Sequence, residues 1–97
     1  MNPAPLTVED VLARVKAGQT FEGMVLADLD LSATDLRGAD LRRATFMCVD
    51  LTGARLVGAN LGGIQFHYSH LVGTDFSHAD LSSAIFTESN LTHVRAQ

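Results

Sequence analysis

From Phe21 to Leu91 every fifth residue is Leu or Phe, fifteen times in one register without exception. An apolar period of five fits neither a helix face, which returns near 3.6 residues, nor a strand, which alternates at two. Over so long a run either periodicity would spread these side chains all round the element. A coil that turns a corner every five residues avoids the conflict, because each unit points the same positions inward before the chain bends. Only stacked coils bury such a pattern.

The flanking positions repeat as well. Two residues before the Leu or Phe stands, in most units, a small or apolar residue, as at Ala39, Ala54, Ala59 and Ile64. Asp or Asn often lies between, as in Ala39-Asp40-Leu41 and Ala59-Asn60-Leu61. Gly recurs two positions after the centre, for example at Gly38, Gly53 and Gly73, where a corner favours its conformational freedom. Phe46, Phe66 and Phe86 are spaced by twenty, as are Ala39, Ala59 and Ala79. These lags favour a twenty-residue coil in which each set forms a column, the Phe set becoming an aromatic ladder inside one wall.

A run of small residue, Asp or Asn, Leu or Phe, and two variable positions resembles the pentapeptide repeat family. The resemblance covers about three quarters of the chain. It implies an all-β solenoid, a right-handed quadrilateral parallel β-helix with four pentapeptides per coil. Here it would follow a short N-terminal capping α-helix.

Ninety-seven residues make one small domain. The reading divides it into an N-terminal arm and capping helix at 1–18, the β-helix at 19–95 and a tail at 96–97. Leu6 to Gly18 is the helical stretch, with Thr7 as N-cap, Asp10 three residues on, and Leu6 and Val11 as a hydrophobic staple. Val8, Val11, Leu12 and Val15 share one face, Arg14 and Lys16 fill the last turn, and Gly18 stops it. So short a helix is marginal alone, so its apolar face should rest on the first coil near Phe21.

No long apolar run is present, so no membrane partner is expected. The N-terminus lacks the basic and apolar parts of a secretory signal, and Cys48 is the only cysteine. Both features favour a cytoplasmic protein, with signal-independent export left open.

Two surfaces are candidates for contact. The units centred on Leu26, Phe46, Phe66 and Phe86 share a wall whose outward positions depart from the family pattern: Val25, Gln65 and Ile85 replace Asp or Asn, and Cys48, Tyr68 and Glu88 replace Gly or small polar residues. Met47 and His67 lie beside them. Exposed Met, Tyr, His and aliphatic side chains together are the composition of a protein contact. The second surface is the C-terminal end, where Phe76, Leu81, Phe86 and Leu91 are expected to form a last ring and Val94 to begin another layer, with no capping segment expected over them. Family resemblance implies homodimers formed through that end.

Outside the charge-balanced helix, nine Asp and Glu face five Arg, so the whole formal charge of −4 lies on the repeats. Resemblance to family members that imitate DNA and act on DNA gyrase makes a DNA-mimicking topoisomerase modulator one alternative. Arg37, Arg42 and Arg43 interrupt the required field, and fewer than four coils give a rod of only about 18 Å. The opening, with Lys16-Ala17-Gly18 and Phe21-Glu22-Gly23, resembles pentapeptide segments attached to bacterial type VI secretion proteins, which makes a secretion-associated adaptor or effector component the other. No basic patch supports direct nucleic-acid binding. His67, His70, His78 and His93 differ in their offsets from the repeat centre, so neither metal nor cofactor is expected. A solenoid filled by Leu and Phe leaves no interior pocket for catalysis. The expected function is therefore that of a non-enzymatic scaffold, a rigid module that binds a protein partner and self-associates.

Overall fold

The computed structural model describes residues 5–96. The first four residues of the expected N-terminal arm and Gln97 of the tail lie outside the described residues. One helix precedes four short strands: α1 (Val8–Lys16), β1 (Val25–Ala27), β2 (Thr45–Met47), β3 (Gln65–His67) and β4 (Ile85–Thr87).

Helix α1 is shorter than the 6–18 span because its boundaries are set chemically. At its start Thr7 Oγ1 accepts from the Asp10 amide at 3.1 Å, and Asp10 Oδ2 accepts from the Thr7 amide at 3.0 Å. This is a capping box with Asp in the place of Glu. At its end Gly18 turns left-handed at φ 71°. The Gly18 amide donates to the Val15 carbonyl and the Gln19 amide to that of Arg14, the paired bonds of a Schellman stop. Val11 is fully buried, with Leu6, Val8, Leu12 and Val15 packed against the same core. The Arg14 guanidinium sits 5.4 Å over the Phe21 ring and donates to the Thr20 carbonyl at 2.7 Å, which ties the helix to the first coil.

Each parallel pairing joins residues twenty apart, so a coil holds four pentapeptides. The sheet runs β1-β2-β3-β4 in strict register, with Leu26 opposite Phe46, Phe46 opposite Phe66, and Phe66 opposite Phe86. The other three walls are joined by single bridges, such as Asp30 to Asp50, Asp35 to Arg55 and Asp40 to Asn60. The architecture is the right-handed quadrilateral β-helix that the repeat implies.

The repeat positions explain the corners. On three walls the amide three residues after the centre donates to the centre's carbonyl, as from Thr34 to Leu31, Ala54 to Leu51 and Ile64 to Leu61. The Asp or Asn before the centre accepts from the amide after it, for example Asp50 from Thr52 at 2.9 Å and Asp80 from Ser82 at 2.9 Å. That bond is why the repeat keeps Asp or Asn there. The second residue after the centre is left-handed at every corner from Gly23 to His93. Glycine takes it without strain at Gly53, φ 68°, while Ala33 adopts it at φ 56°.

The fourth wall is built differently. No bond to the centre's carbonyl closes the corner after Leu26, Phe46, Phe66 or Phe86 among the described residues. The chain stays extended there, which is why, among the described residues, only this wall carries three-residue strands. Inside it the Phe ladder is continuous, with Phe46 and Phe66 edge to face at 5.3 Å and Phe66 and Phe86 stacked at 5.2 Å. The core is filled from Val11 to Phe76, and burial then falls away, with Leu81, Phe86 and Val94 half-buried and Leu91 38% exposed.

Candidate protein-contact wall

The strand-bearing wall is the irregular one, and its irregularity has a structural cause. In parallel register each outward position becomes a column: Val25, Thr45, Gln65 and Ile85 beside one corner, and Ala27, Met47, His67 and Thr87 beside the other. Asp28, Cys48, Tyr68 and Glu88 occupy the left-handed corner position after the strands, with φ between 50° and 57°. Their side chains turn to solvent rather than into the solenoid. Asp28, Cys48, Tyr68 and Glu88 are all exposed.

Among the described residues the large exposed hydrophobics are Val25 at 63%, Tyr68 at 56%, Ile85 at 48%, Leu91 at 38% and Met47 at 36%. Four of these five stand on this one wall. They do not form a single patch, since Thr45 and Gln65 separate Val25 from Ile85 in their column. Gln65 and His67 are half-buried and engage each other across β3, the His67 Nε2–H donating to Gln65 Oε1 at 2.9 Å.

The expected end surface is divided. Leu81, Phe86, Leu91 and Val94 are open or half-open, but Phe76 is only 3% exposed. The segment around Arg95 covers it, Arg95 pairing with Asp75 and accepting the Phe76 amide at its carbonyl. Phe76 therefore lies beneath that end rather than on it.

Sequence reasoning did not find the pairing of the arginines. Arg37 forms a two-point hydrogen bond to Asp35 and Arg42 a second to Asp40, every distance 2.8 Å. Their hydrogen bonds hold both carboxyls at about 2. The spacing of Arg two residues after the repeat's Asp was the available signal. Among the described residues no group of three or more His, Cys, Asp or Glu could hold a metal. No described helix is long and apolar enough to cross a membrane. A cleft between Leu12, Val15 and Lys16 of α1 and Asp35, Arg37 and Gly38 of the solenoid lies away from the strand-bearing wall.

Comparisons with known proteins agree with this geometry. The model for pentapeptide repeats (8 copies) matches residues 25–63 and 59–95. Among solved structures, a pentapeptide repeat protein from the Arabidopsis thaliana thylakoid lumen is similar at 28% identity and a TM-score of 0.76, over 96% of this chain and 61% of that one. QnrB1, a plasmid-mediated fluoroquinolone resistance protein, is similar in fold at 24% identity and a TM-score of 0.57, over 79% of this chain and 48% of that one. The chain thus spans less than two thirds of the length of either. No curated protein matches the sequence significantly. With its register, its corners and its family model in agreement, the chain belongs to the pentapeptide repeat family.

Proposed function

We propose that this chain is a non-catalytic interaction module whose strand-bearing wall contacts a protein partner. The observation that carries the reading is the gathering of Val25, Met47, Tyr68 and Ile85, exposed by 36% to 63%, on that wall. The solenoid fixes them at the coil spacing of about 4.8 Å, so a partner meets a pre-organised surface and little ordering entropy is lost on binding. Capture of cellular proteins by immobilised wild type, by Met47→Glu/Tyr68→Glu and by Val57→Glu tests it. A partner lost with the double variant and kept with Val57→Glu, which lies on the opposite wall, is the expected result. Equal capture by all three contradicts it.

Self-association through the last coil is the second part of the proposal. Leu91 is exposed and Leu81, Phe86 and Val94 are half-buried around an incompletely covered ring, and a two-fold contact would cover both rings at once. Light scattering over a range of concentrations should give a dimer that Phe86→Asp splits into folded monomers. A wild-type monomer throughout removes this part and leaves the wall reading standing.

A further inference from the structure

The corner where this wall meets the next carries the chain's charge imbalance, with Asp28 and Glu88 at the corner itself and Asp30 and Asp50 just past it on the neighbouring wall. Around it, residues 25–30, 45–50, 65–70 and 85–90 contain Asp28, Asp30, Asp50 and Glu88 and no Lys or Arg. The whole chain has 11 Asp and Glu against 7 Lys and Arg. With these four carboxylates set aside, acids and bases are equal in number.

Three of the other acids are held by arginines. Asp35, Asp40 and Glu22 each lie within 4.0 Å of an arginine. None of the four at this corner does so among the described residues, and neither do Glu9, Asp10, Asp75 and Asp80, which lie elsewhere. Arg42 and Arg43 stand at the wall's other corner, but Arg42 is held by Asp40 at 2.8 Å and Arg43 faces Glu22 at 3.6 Å. That flank is neutralised internally, and the flank from Asp28 to Glu88 is not.

Resting on the reading above, we propose that the strand-bearing wall takes a cationic segment of another protein that also carries apolar side chains. Its Lys or Arg would meet the acidic flank, and its apolar residues would cover Met47, Tyr68 and Ile85. A second copy of this chain does not fit the wall, because it would bring the same unpaired carboxylates face to face. The area points the same way. Four strands at about 4.8 Å and three residues at about 3.3 Å each make a face far below the roughly 800 Å² per partner of a stable globular interface. Such a face suits a short segment.

The test uses two fluorescein-labelled peptides, alternating Leu with Lys and Leu with Glu, titrated with the full chain at neutral pH. The Leu/Lys peptide should bind at least about tenfold more tightly than Leu/Glu, weaken with added salt, and shift amide resonances within the four wall segments. Asp28→Asn/Glu88→Gln should weaken it about fivefold. Neither side chain makes a hydrogen bond or ion pair among the described residues, so the fold should persist. Glu9→Gln/Asp75→Asn removes equal charge away from both flanks of the wall and should change the affinity less than about twofold. Equal affinity for both peptides, no binding of Leu/Lys, or equal loss in the two variants overturns the cationic partner. Leu/Glu bound at the wall does so too, yet leaves the interaction reading intact. Shifts confined to other walls with both peptides overturn that reading as well.

Discussion

Ser69 Oγ accepts a hydrogen bond from the Val49 amide at 3.2 Å, one full coil away. Val49 is fully buried and Ser69 nearly so, and the corner after Phe46 supplies no carbonyl for that amide. One coil on, Ser89 Oγ accepts from the Ser69 amide at the same distance. Two serines thus replace the corner bonds that the other walls make with their own backbone. Ser69→Ala leaves a buried donor unpaired and should cost about 1–3 kcal/mol in urea unfolding. Ser89→Ala, at a half-buried position, should cost less. An unchanged midpoint for Ser69→Ala would show that the open corner needs no support.

The Phe ladder predicts a larger effect. Phe66 is fully buried between Phe46 at 5.3 Å and Phe86 at 5.2 Å, so Phe66→Ala should cost about 3–5 kcal/mol. Phe86→Ala, at the half-covered end, should cost clearly less. Thermal melting of the two side by side checks the order, and equal losses would mean that the core does not thin toward the last coil.

Backbone strain can be isolated at one corner. An added Cβ at Gly53 would meet nothing within 4 Å, yet the residue sits at φ 68°. Gly53→Ala should therefore cost about 1 kcal/mol through conformation alone. Ala33→Gly, which relieves φ 56°, should gain part of that amount or be neutral. A stabilised Gly53→Ala would contradict the corner assignment.

The helix cap is a further check. Thr7→Ala removes one half of the Thr7–Asp10 capping box and should cost about 1 kcal/mol. No change in melting temperature would mean that α1 contributes nothing to the fold's stability.

Acid should destabilise the molecule in a defined window. Hydrogen bonds from Arg37 and Arg42 hold Asp35 and Asp40 at about 2, below the ordinary Asp value of about 3.9. Asp30, Asp75 and Asp80 are lowered too, by bonds from Ser32, Ser77 and Ser82. A carboxyl depressed by folding stabilises fully above its unfolded value and loses that contribution as pH falls through its folded one. Melting temperature should thus decline between about pH 4 and pH 2, and Arg37→Gln/Arg42→Gln should flatten the decline. A profile identical in the double variant would show that these pairs add nothing to acid stability.

The coil could be read directly from the sequence because inward residues repeat at a fixed lag, and Leu26, Phe46, Phe66 and Phe86 were already aligned by it. The helix was legible through its cap and its Gly18 stop. Side-chain bonds between coils were not, since nothing in the identity of Ser69 announces that its hydroxyl meets an amide twenty residues earlier. Nor does sequence show that Ala33, Cys48 and Tyr68 share the left-handed conformation of Gly53, because packing across coils overrides their own preference. Phe76 fits the repeat as well as Phe86 does, and only the position of Arg95 separates the covered ring from the open one.

The wall's role as a contact surface is tested most directly by a photo-crosslinking side chain placed at Tyr68, at Met47, or at Val57 on the opposite wall, with adducts read in living cells. The account predicts the same protein adduct from Tyr68 and Met47 and none from Val57. Adducts from Val57 alone, or from no position on the strand-bearing wall, would contradict it.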